Sequence, residues 1–237
     1  MKVKINNRDF NVENDEPFWN QIDVWENHSF KILDHFLNNK NCLIDVGAWN
    51  GVLSIYASRI CRNVIAFEPD TAAFSNLTRN IELNDIKNIE CHNIGLSDKD
   101  ESIPLNIIRG GDSMSSIIDR TMQHYTKNSV ETIKTILLSK FLIENKVSNI
   151  GLIKIDTEGA EIFIIPEIQK YLTKHKPTLY LSFHPNWFPE KDIQINNLID
   201  ILSEIYNIFS TSLNPVTKEQ TIFGLYNNSH EYLFIAK

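Results

Sequence analysis

At 237 residues, 42% hydrophobic and 22% charged, the chain has the make-up of a globular protein with a substantial core, most simply one domain. Its net charge of −7, pI near 5.5 and lack of any lysine or arginine cluster argue against a nucleic-acid binder, which needs a basic face to neutralise phosphates. The N-terminal Met1-Lys2-Val3-Lys4-Ile5-Asn6-Asn7-Arg8 lacks a signal-peptide core, no run approaches the ~18 apolar residues of a membrane span, and Cys42, Cys61 and Cys91 lack C-x-x-C spacing; the expected setting is cytoplasmic, without membrane insertion, disulfides or zinc.

In chain order, residues 1–40 read as an N-terminal cap segment and 41–237 as a single domain. The cap holds a short β element from Val3 to Val12 turning at Asn6-Asn7, then a breaker cluster ending at Pro17. A helical stripe follows from Ile22 to Leu37 (Trp25, Phe30, Leu33, Phe36, Leu37), which either lids a cleft or packs on a sheet, with packing favoured. Next come a strand from Cys42 to Val46, a helix from Val52 to Ile60, a strand from Val64 to Phe67, a helix from Thr71 to Asn84 and a strand from Ile89 to Ile94. Strict β and α alternation is the pattern of a parallel sheet with helices on both faces.

Between Ser97 and Ile133 the periodicity fails around Gly110-Gly111-Asp112-Ser113, which predicts a long loop, with Arg109 available to an anionic substrate group if that loop closes as a lid. Alternation then returns: helix Leu137 to Glu144, strand Gly151 to Ile155, helix Ala160 to Tyr171, strand Thr178 to Phe183 and helix Ile193 to Tyr206. A short strand near Asn207 to Ser210, a linker, and a strand from Glu231 to Ala236 suit an antiparallel end to the sheet.

Within this frame, Leu43-Ile44-Asp45-Val46-Gly47-Ala48-Trp49-Asn50-Gly51 followed by Val64-Ile65-Ala66-Phe67-Glu68-Pro69 forms a βαβ unit. Its glycine turn lets a ligand approach the backbone, and Glu68 can accept from both hydroxyls of a ribose, so a nucleoside-containing cofactor is expected at Asp45, Gly47, Ala48, Asn50, Gly51, Glu68 and Pro69. The glycines read G-x-x-x-G, and Trp49 stands where a dinucleotide site needs its second glycine to clear a pyrophosphate. S-adenosylmethionine has no phosphate. Here the chain resembles the class I methyltransferases, whose first motif holds the methionine part of that cofactor and whose ribose-binding acid Glu68 matches.

A second motif, Gly151-Leu152-Ile153-Lys154-Ile155-Asp156-Thr157-Glu158-Gly159-Ala160-Glu161, ends an apolar strand in a cluster of ionisable groups, where ligands of open α/β sheets bind. Lys-Ile-Asp-Thr-Glu-Gly-Ala-Glu is the hallmark of the FkbM-type methyltransferases. The chain resembles that family over roughly residues 40–188, with Ile44-Asp45-Val46-Gly47, Phe67-Glu68-Pro69, Asn93-Ile94-Gly95-Leu96-Ser97-Asp98 and the Gly-Gly then Ser-Ser segment at 110–116 in the expected order. The resemblance implies a Rossmann-like class I fold with a mostly parallel seven-stranded sheet and an antiparallel last strand. It also implies S-adenosyl-L-methionine as cofactor, with Ser97 and Asp156 in its site, and O-methylation of a sugar, glycan precursor or related small molecule. One departure is Leu137-Leu138-Ser139-Lys140, where the family usually carries Thr-Leu-Asp-Asp.

Methyl transfer from a sulfonium is an in-line displacement, so alignment supplies much of the catalysis and the rest is removal of the hydroxyl proton. Asp156, Glu158 and His184 are the candidate bases, with Asp156 and His184 favoured and Glu158 fixing the turn or the substrate; Lys154, on the same side of its strand as Asp156, pairs with it or contacts substrate. Against these stand duller readings: His184 before Pro185 as a satisfied loop histidine, Glu161 as helix N-terminal charge, and Trp187 and Phe188 as packing rather than a sugar platform. His28, His35, His92, His124, His175 and His230 lack metal-ligand spacing, so no metal is assigned, a divalent cation at Asp156 being a minor alternative. Two rival functions remain, an NAD(P)-dependent oxidoreductase and a non-catalytic cofactor-binding module.

Overall fold

The computed structural model describes residues 1–13, 17–22, 25–119 and 129–237. A hairpin opens the chain: β1 (Lys2–Ile5) and β2 (Arg8–Asn11) pair antiparallel across Asn6 and Asn7, both at positive φ (42° and 64°), which a two-residue hairpin turn requires. A 3-10 turn over Pro17–Gln21 leads towards α1 (Asn27–Phe36). The helix starts five residues later than the apolar stripe predicts, because Glu26 before it is left-handed (φ 35°).

Then follow β3 (Cys42–Val46), α2 (Val52–Ala57), β4 (Asn63–Phe67), α3 (Thr71–Leu83) and β5 (Ile89–His92). Asp70 caps α3, its carboxylate accepting from the backbone N–H groups of Ala72 and Ala73. The segment expected as a long loop is instead largely a second sheet. β6 (Gly95–Leu96), β7 (Glu101–Ile107) and β8 (Ser129–Ile136) associate in the order β6-β8-β7, with β7 and β8 antiparallel from Glu101↔Thr135 to Ile107↔Ser129.

The chain continues through α4 (Leu138–Glu144), β9 (Ile150–Ile155), α5 (Glu161–His175), β10 (Thr178–Ser182), a 3-10 turn (Pro185–Trp187), α6 (Lys191–Ile205) and β11 (Tyr206–Ser210). The expected linker holds β12 (Pro215–Val216) and α7 (Lys218–Tyr226), a helix fixed by a Thr217/Gln220 capping box, before β13 (Glu231–Ala236). At the start of α4, where the family's acids are missing, Glu167 reaches over from α5 and accepts from the backbone N–H and the hydroxyl of Ser139.

The main sheet runs β12-β11-β13-β10-β9-β3-β4-β5, eight strands rather than seven because of two-residue β12. β13 is the antiparallel strand between β10 and β11, and β10, β9, β3, β4 and β5 are parallel. Its strands are apolar on both sides, as a parallel sheet covered on both faces demands. Leu43, Val64, Leu152 and Tyr180 join one core with Phe30 and Leu33 of α1, Ile55 of α2, Leu77 of α3 and the hairpin residues Val3, Ile5 and Phe10. Ile44, Ile65, Ile153 and Leu181 join the other with Leu142 of α4, Ile164 of α5 and Leu198 of α6. Each such buried Leu or Ile stabilises the fold by about 1.5–3 kcal/mol. From β3 the chain steps outward to β4 and β5 and returns at β9 on β3's other side, so a crevice opens between the carboxyl ends of β3 and β9.

Candidate active site

A cavity of about 520 Å³ fills that crevice, within the usual range for a cofactor site. Gly47, Ala48 and Trp49 line it from the turn after β3, Glu68 and Pro69 from the end of β4, Lys154, Asp156 and Glu158 from β9 and its loop, and His184 from beyond β10. Phe18, Trp25 and Glu26 of the cap and Arg109, Asp112 and Ser115 beyond β7 close the remaining sides. The stripe expected either to lid or to pack therefore does both, Trp25 and Glu26 facing the cavity while Phe30 and Leu33 are buried.

The glycine turn is fixed from three sides. Gly47 has φ 79°, and a Cβ there would lie 1.8 Å from the Asp156 carbonyl oxygen, so only glycine lets the ends of β3 and β9 approach. The N–H groups of Gly47 and Ala48 both donate to Phe67 O at 3.0 Å, and Trp49 N donates to Glu68 Oε2 at 2.7 Å. Glu68 Oε1 accepts from Asp70 N at 2.8 Å. Burial, reinforced by the like charges of Asp70 and Asp45, pushes the Glu68 carboxyl up to about 8. The Trp49 indole, expected to crowd a pyrophosphate, lines the cavity and donates to Gly111 O at 2.8 Å. Asp45 is 2% exposed and accepts from Ser54 Oγ of α2 at 2.6 Å.

At the other end the second motif gathers its charges around one histidine. Lys154 Nζ donates to Asp156 Oδ2 at 2.7 Å, one of the two contacts expected of it. His184 Nε2 lies 3.5 Å from Asp156 Oδ1 and 3.4 Å from Glu158 Oε1, and Nδ1 lies 3.1 Å from Glu161 Oε1. Burial alone would lower the imidazole, but Glu161, then Asp156 and Glu158, outweigh it and raise His184 to about 9. Asp156 behaves oppositely: burial would raise it, and Lys154 and His184 hold it below the usual carboxylate range. Glu158 sits at φ 53°, held through its carbonyl by Ser116 Oγ (2.6 Å) and through Oε2 by Trp187 Nε1 (2.9 Å). The second sheet thus braces the acidic turn through Ser116, which also exchanges backbone hydrogen bonds with Asn106 of β7.

Glu161 does more than the helix N-terminal role expected of it. Its Oε1 accepts from Thr157 N, Thr157 Oγ1 and Gly159 N as well as facing His184. Sequence reasoning missed that pairing, along with the cavity residues Phe18, Glu26 and Ser182; the advance signal for Glu26 and Ser182 is only that they lie inside a predicted helix and a predicted strand, while Trp25 belongs to the stripe expected as a possible lid. Asn50, Gly51 and Ser97 are not among the lining residues: Asn50 takes Asn80 Nδ2 on its carbonyl, Gly51 packs on Leu77, and Ser97 bonds Asp98. Phe188 is core, 3% exposed, and Trp187 serves Glu158 rather than forming a cavity wall.

Donor atoms of Asp156, Glu158 and His184 lie within 4.8 Å of one another, as do those of Glu26, His28 and Glu231. In the first group Lys154 pairs with Asp156, and the His184 ring faces Asp156 and Glu158 through Nε2 and Glu161 through Nδ1. His28 bonds Glu231 at 2.5 Å, while His92 stacks on Phe67 and His175 on Tyr171; His124 lies outside the described residues. Cys42, Cys61 and Cys91 are free thiols. No helix among the described residues is long and apolar enough to cross a membrane.

Comparison with known proteins follows the same outline. Among curated proteins, Methyltransferase 1 of Beauveria bassiana (strain ARSEF 2860) is 29% identical over 140 residues, 52% of this chain and 56% of that protein, so the chain spans about half the length of this relative. Among solved structures, the methyltransferase FkbM from Methylobacillus flagellatus KT superposes with a TM-score of 0.50 at 16% identity, over 84% of this chain and 44% of its own, a likeness of fold. The model of the methyltransferase FkbM domain matches residues 45–209, from the aspartate that opens the glycine turn to the penultimate residue of β11. The chain belongs to the FkbM methyltransferase family.

Proposed function

We propose that this protein transfers the methyl group of S-adenosylmethionine to a hydroxyl of a sugar, glycan precursor or related small molecule. The observation that carries the reading is one cavity with the buried carboxyl of Glu68, which has no cation among its charged neighbours in the described residues, at one end and an acid-histidine cluster at the other. Glu68 suits neutral donors such as ribose hydroxyls, since its charged neighbours Asp70 and Asp45 are acids. The lining offers six carboxyl groups, those of Glu26, Asp45, Glu68, Asp112, Asp156 and Glu158, against the three basic side chains Arg109, Lys154 and His184, a composition with more places for a cation than for a pyrophosphate. When bound, the cofactor supplies an electrophilic methyl carbon on a sulfonium.

The chain's own part is to hold and deprotonate the acceptor. Asp156 and Glu158 accept from its hydroxyl and neighbouring hydroxyls, which fixes the oxygen for in-line attack. His184 Nε2, in the neutral form, takes the proton, while buried Glu161 on Nδ1 sets the tautomer and stabilises the resulting imidazolium. Lys154 keeps Asp156 ionised throughout. A polyol acceptor suits this carboxylate pair, and the net charge of −7 disfavours nucleic acid.

Thermal melting with each cofactor tests the reading. S-adenosylhomocysteine should raise the melting temperature and NAD should not; stabilisation by NAD alone overturns it. For the catalytic cluster, Asp156→Ala should cost at least about a hundredfold in methyl transfer with the cofactor still bound. Undiminished transfer by that variant removes Asp156 from the mechanism.

A further inference from the structure

We propose, resting on the cofactor reading above, that Glu26 binds the α-ammonium group of the cofactor's methionine part, which makes the N-terminal cap a working wall of the cofactor site. The family match begins at residue 45 and leaves this wall unassigned. The cavity runs from Glu68 at the end of β4, past the turn after β3, to Asp156 at the end of β9. With the ribose held at Glu68 and the sulfur towards Asp156, the cap residues Phe18, Trp25 and Glu26 would form the lining left for the amino-acid tail. That tail carries an ammonium, and Glu26 is the carboxylate on that wall.

The geometry of Glu26 fits the task. It sits in the left-handed region (φ 35°, ψ 44°) just before α1, which turns its side chain away from the helix register. Ser29 Oγ donates to its Oε2 at 3.0 Å, and nothing among the described residues bonds its Oε1. Asp45, the other acid near this wall, is 2% exposed and already tied to Ser54.

Behind Glu26 runs a proton-ordering chain. Tyr180 OH donates to Glu231 Oε1 at 2.5 Å and lies 2.8 Å from Ser29 Oγ. Ser29 has one proton to give. With Glu26 neutral, the donors line up from Glu26 to Ser29 to Tyr180 to Glu231; a cation at Oε1 ionises Glu26 and turns the Ser29 proton back towards it. Burial pushes Glu26 up to about 7, with Lys154 opposing and Glu231 and Asp156 reinforcing the rise. The titratable groups facing it are Lys154 of β9 and Asp156 just beyond it, Glu231 from β13, Tyr180 from β10, Asp45 of β3 across the cavity and, through Glu231, His28 of α1. Cation binding therefore expels a proton near neutrality.

Calorimetry with two probes tests this: S-adenosylhomocysteine, which carries the ammonium, and methylthioadenosine, which lacks the whole amino-acid tail. Glu26→Gln should weaken S-adenosylhomocysteine about tenfold to a hundredfold and leave methylthioadenosine unchanged. Equal losses for both probes, or no loss for either, overturn the assignment. A second measurement needs no variant: at pH 7, in buffers of different ionisation enthalpy, the wild type should release more protons with S-adenosylhomocysteine than with methylthioadenosine. Equal release overturns the assignment as well. If the wild type binds neither probe, the cofactor reading itself has failed, a result distinct from either of these.

Discussion

The Oε1 atom of Glu161 lies 3.1 Å from Nδ1 of His184 and at the same time accepts the backbone N–H groups of Thr157 and Gly159. One buried carboxylate thus fixes both the turn that carries Asp156 and Glu158 and the ring that faces them. Helix α5, which begins at Glu161, is thereby coupled to the loop after β10.

This pairing fixes the titration of His184. The Glu161, Asp156 and Glu158 carboxylates hold the imidazole at about 9, above its ordinary value of 6.5. Its Cε1–H resonance should titrate near pH 9 in the wild type and at clearly lower pH in Glu161→Gln. Because the folded-state value is the raised one, the stabilisation is fully present below pH 6.5 and fades as pH rises through about 9. The denaturation midpoint of the wild type, referred to His184→Gln, should therefore drop across that window. A resonance titrating near 6.5 in the wild type refutes the electrostatic account. Transfer should correspondingly rise with pH up to about 9 if the neutral imidazole is the base.

Gly47→Ala tests the junction of β3 and β9. The added methyl has no room, at 1.8 Å from the Asp156 carbonyl oxygen, and φ 79° is strained for alanine. The strands must separate or the turn must rebuild, at a cost of about 3 kcal/mol or more by chemical denaturation. A cost below about 1 kcal/mol means that the two strand ends are not locked together in the way the structure has them.

The strands of this junction were legible because they are continuous apolar runs ended by glycine or an acid. β3 spans the same residues, Cys42–Val46, that its composition predicts. Glu68, Asp156 and His184 follow from their places at strand ends, and all three line the cavity. The second sheet was not legible. β7 buries only Leu105, Asn106 and Ile107 and β8 only Ile133 and Thr135, at opposite ends of the antiparallel pair, and Pro104 interrupts β7, which it can do because β7 is an edge strand. No periodicity survives that mixture. Glu26 and Glu161 were unreadable for another reason: an acid before or at a helix start is ordinarily a cap or a dipole partner, and only the fold brings Lys154 near the first and His184 against the second.

Asp70 ties that second sheet to the nucleoside end. It caps α3 through Ala72 and Ala73 and also takes Ser115 Oγ at 2.6 Å, next to the Gly111 whose carbonyl holds Trp49. Asp70→Ala should lose about 1–2 kcal/mol of stability from the cap alone. Amide exchange should accelerate at residues 109–116, since Ser115 loses its anchor, while the β7–β8 ladder keeps its protection. Unchanged exchange at 109–116 shows the Ser115 contact to be incidental.

Glu68 offers a separate pH signature at the ribose end. Burial raises it from 4.5 to about 8, so it is largely protonated at neutrality in the empty site, and the stability tied to the neutral form is lost as pH rises through about 8. Two hydroxyl donors favour the carboxylate, so ribose binding and ionisation reinforce each other. Affinity for methylthioadenosine, which has the ribose but no ammonium and so bypasses Glu26, should increase between pH 6 and 8, by at most about tenfold per pH unit. Glu68→Gln should flatten that dependence and weaken binding about tenfold or more, since its amide NH₂ also confronts the N–H of either Trp49 or Asp70. A wild-type affinity that stays level across the same range would place the ribose away from Glu68.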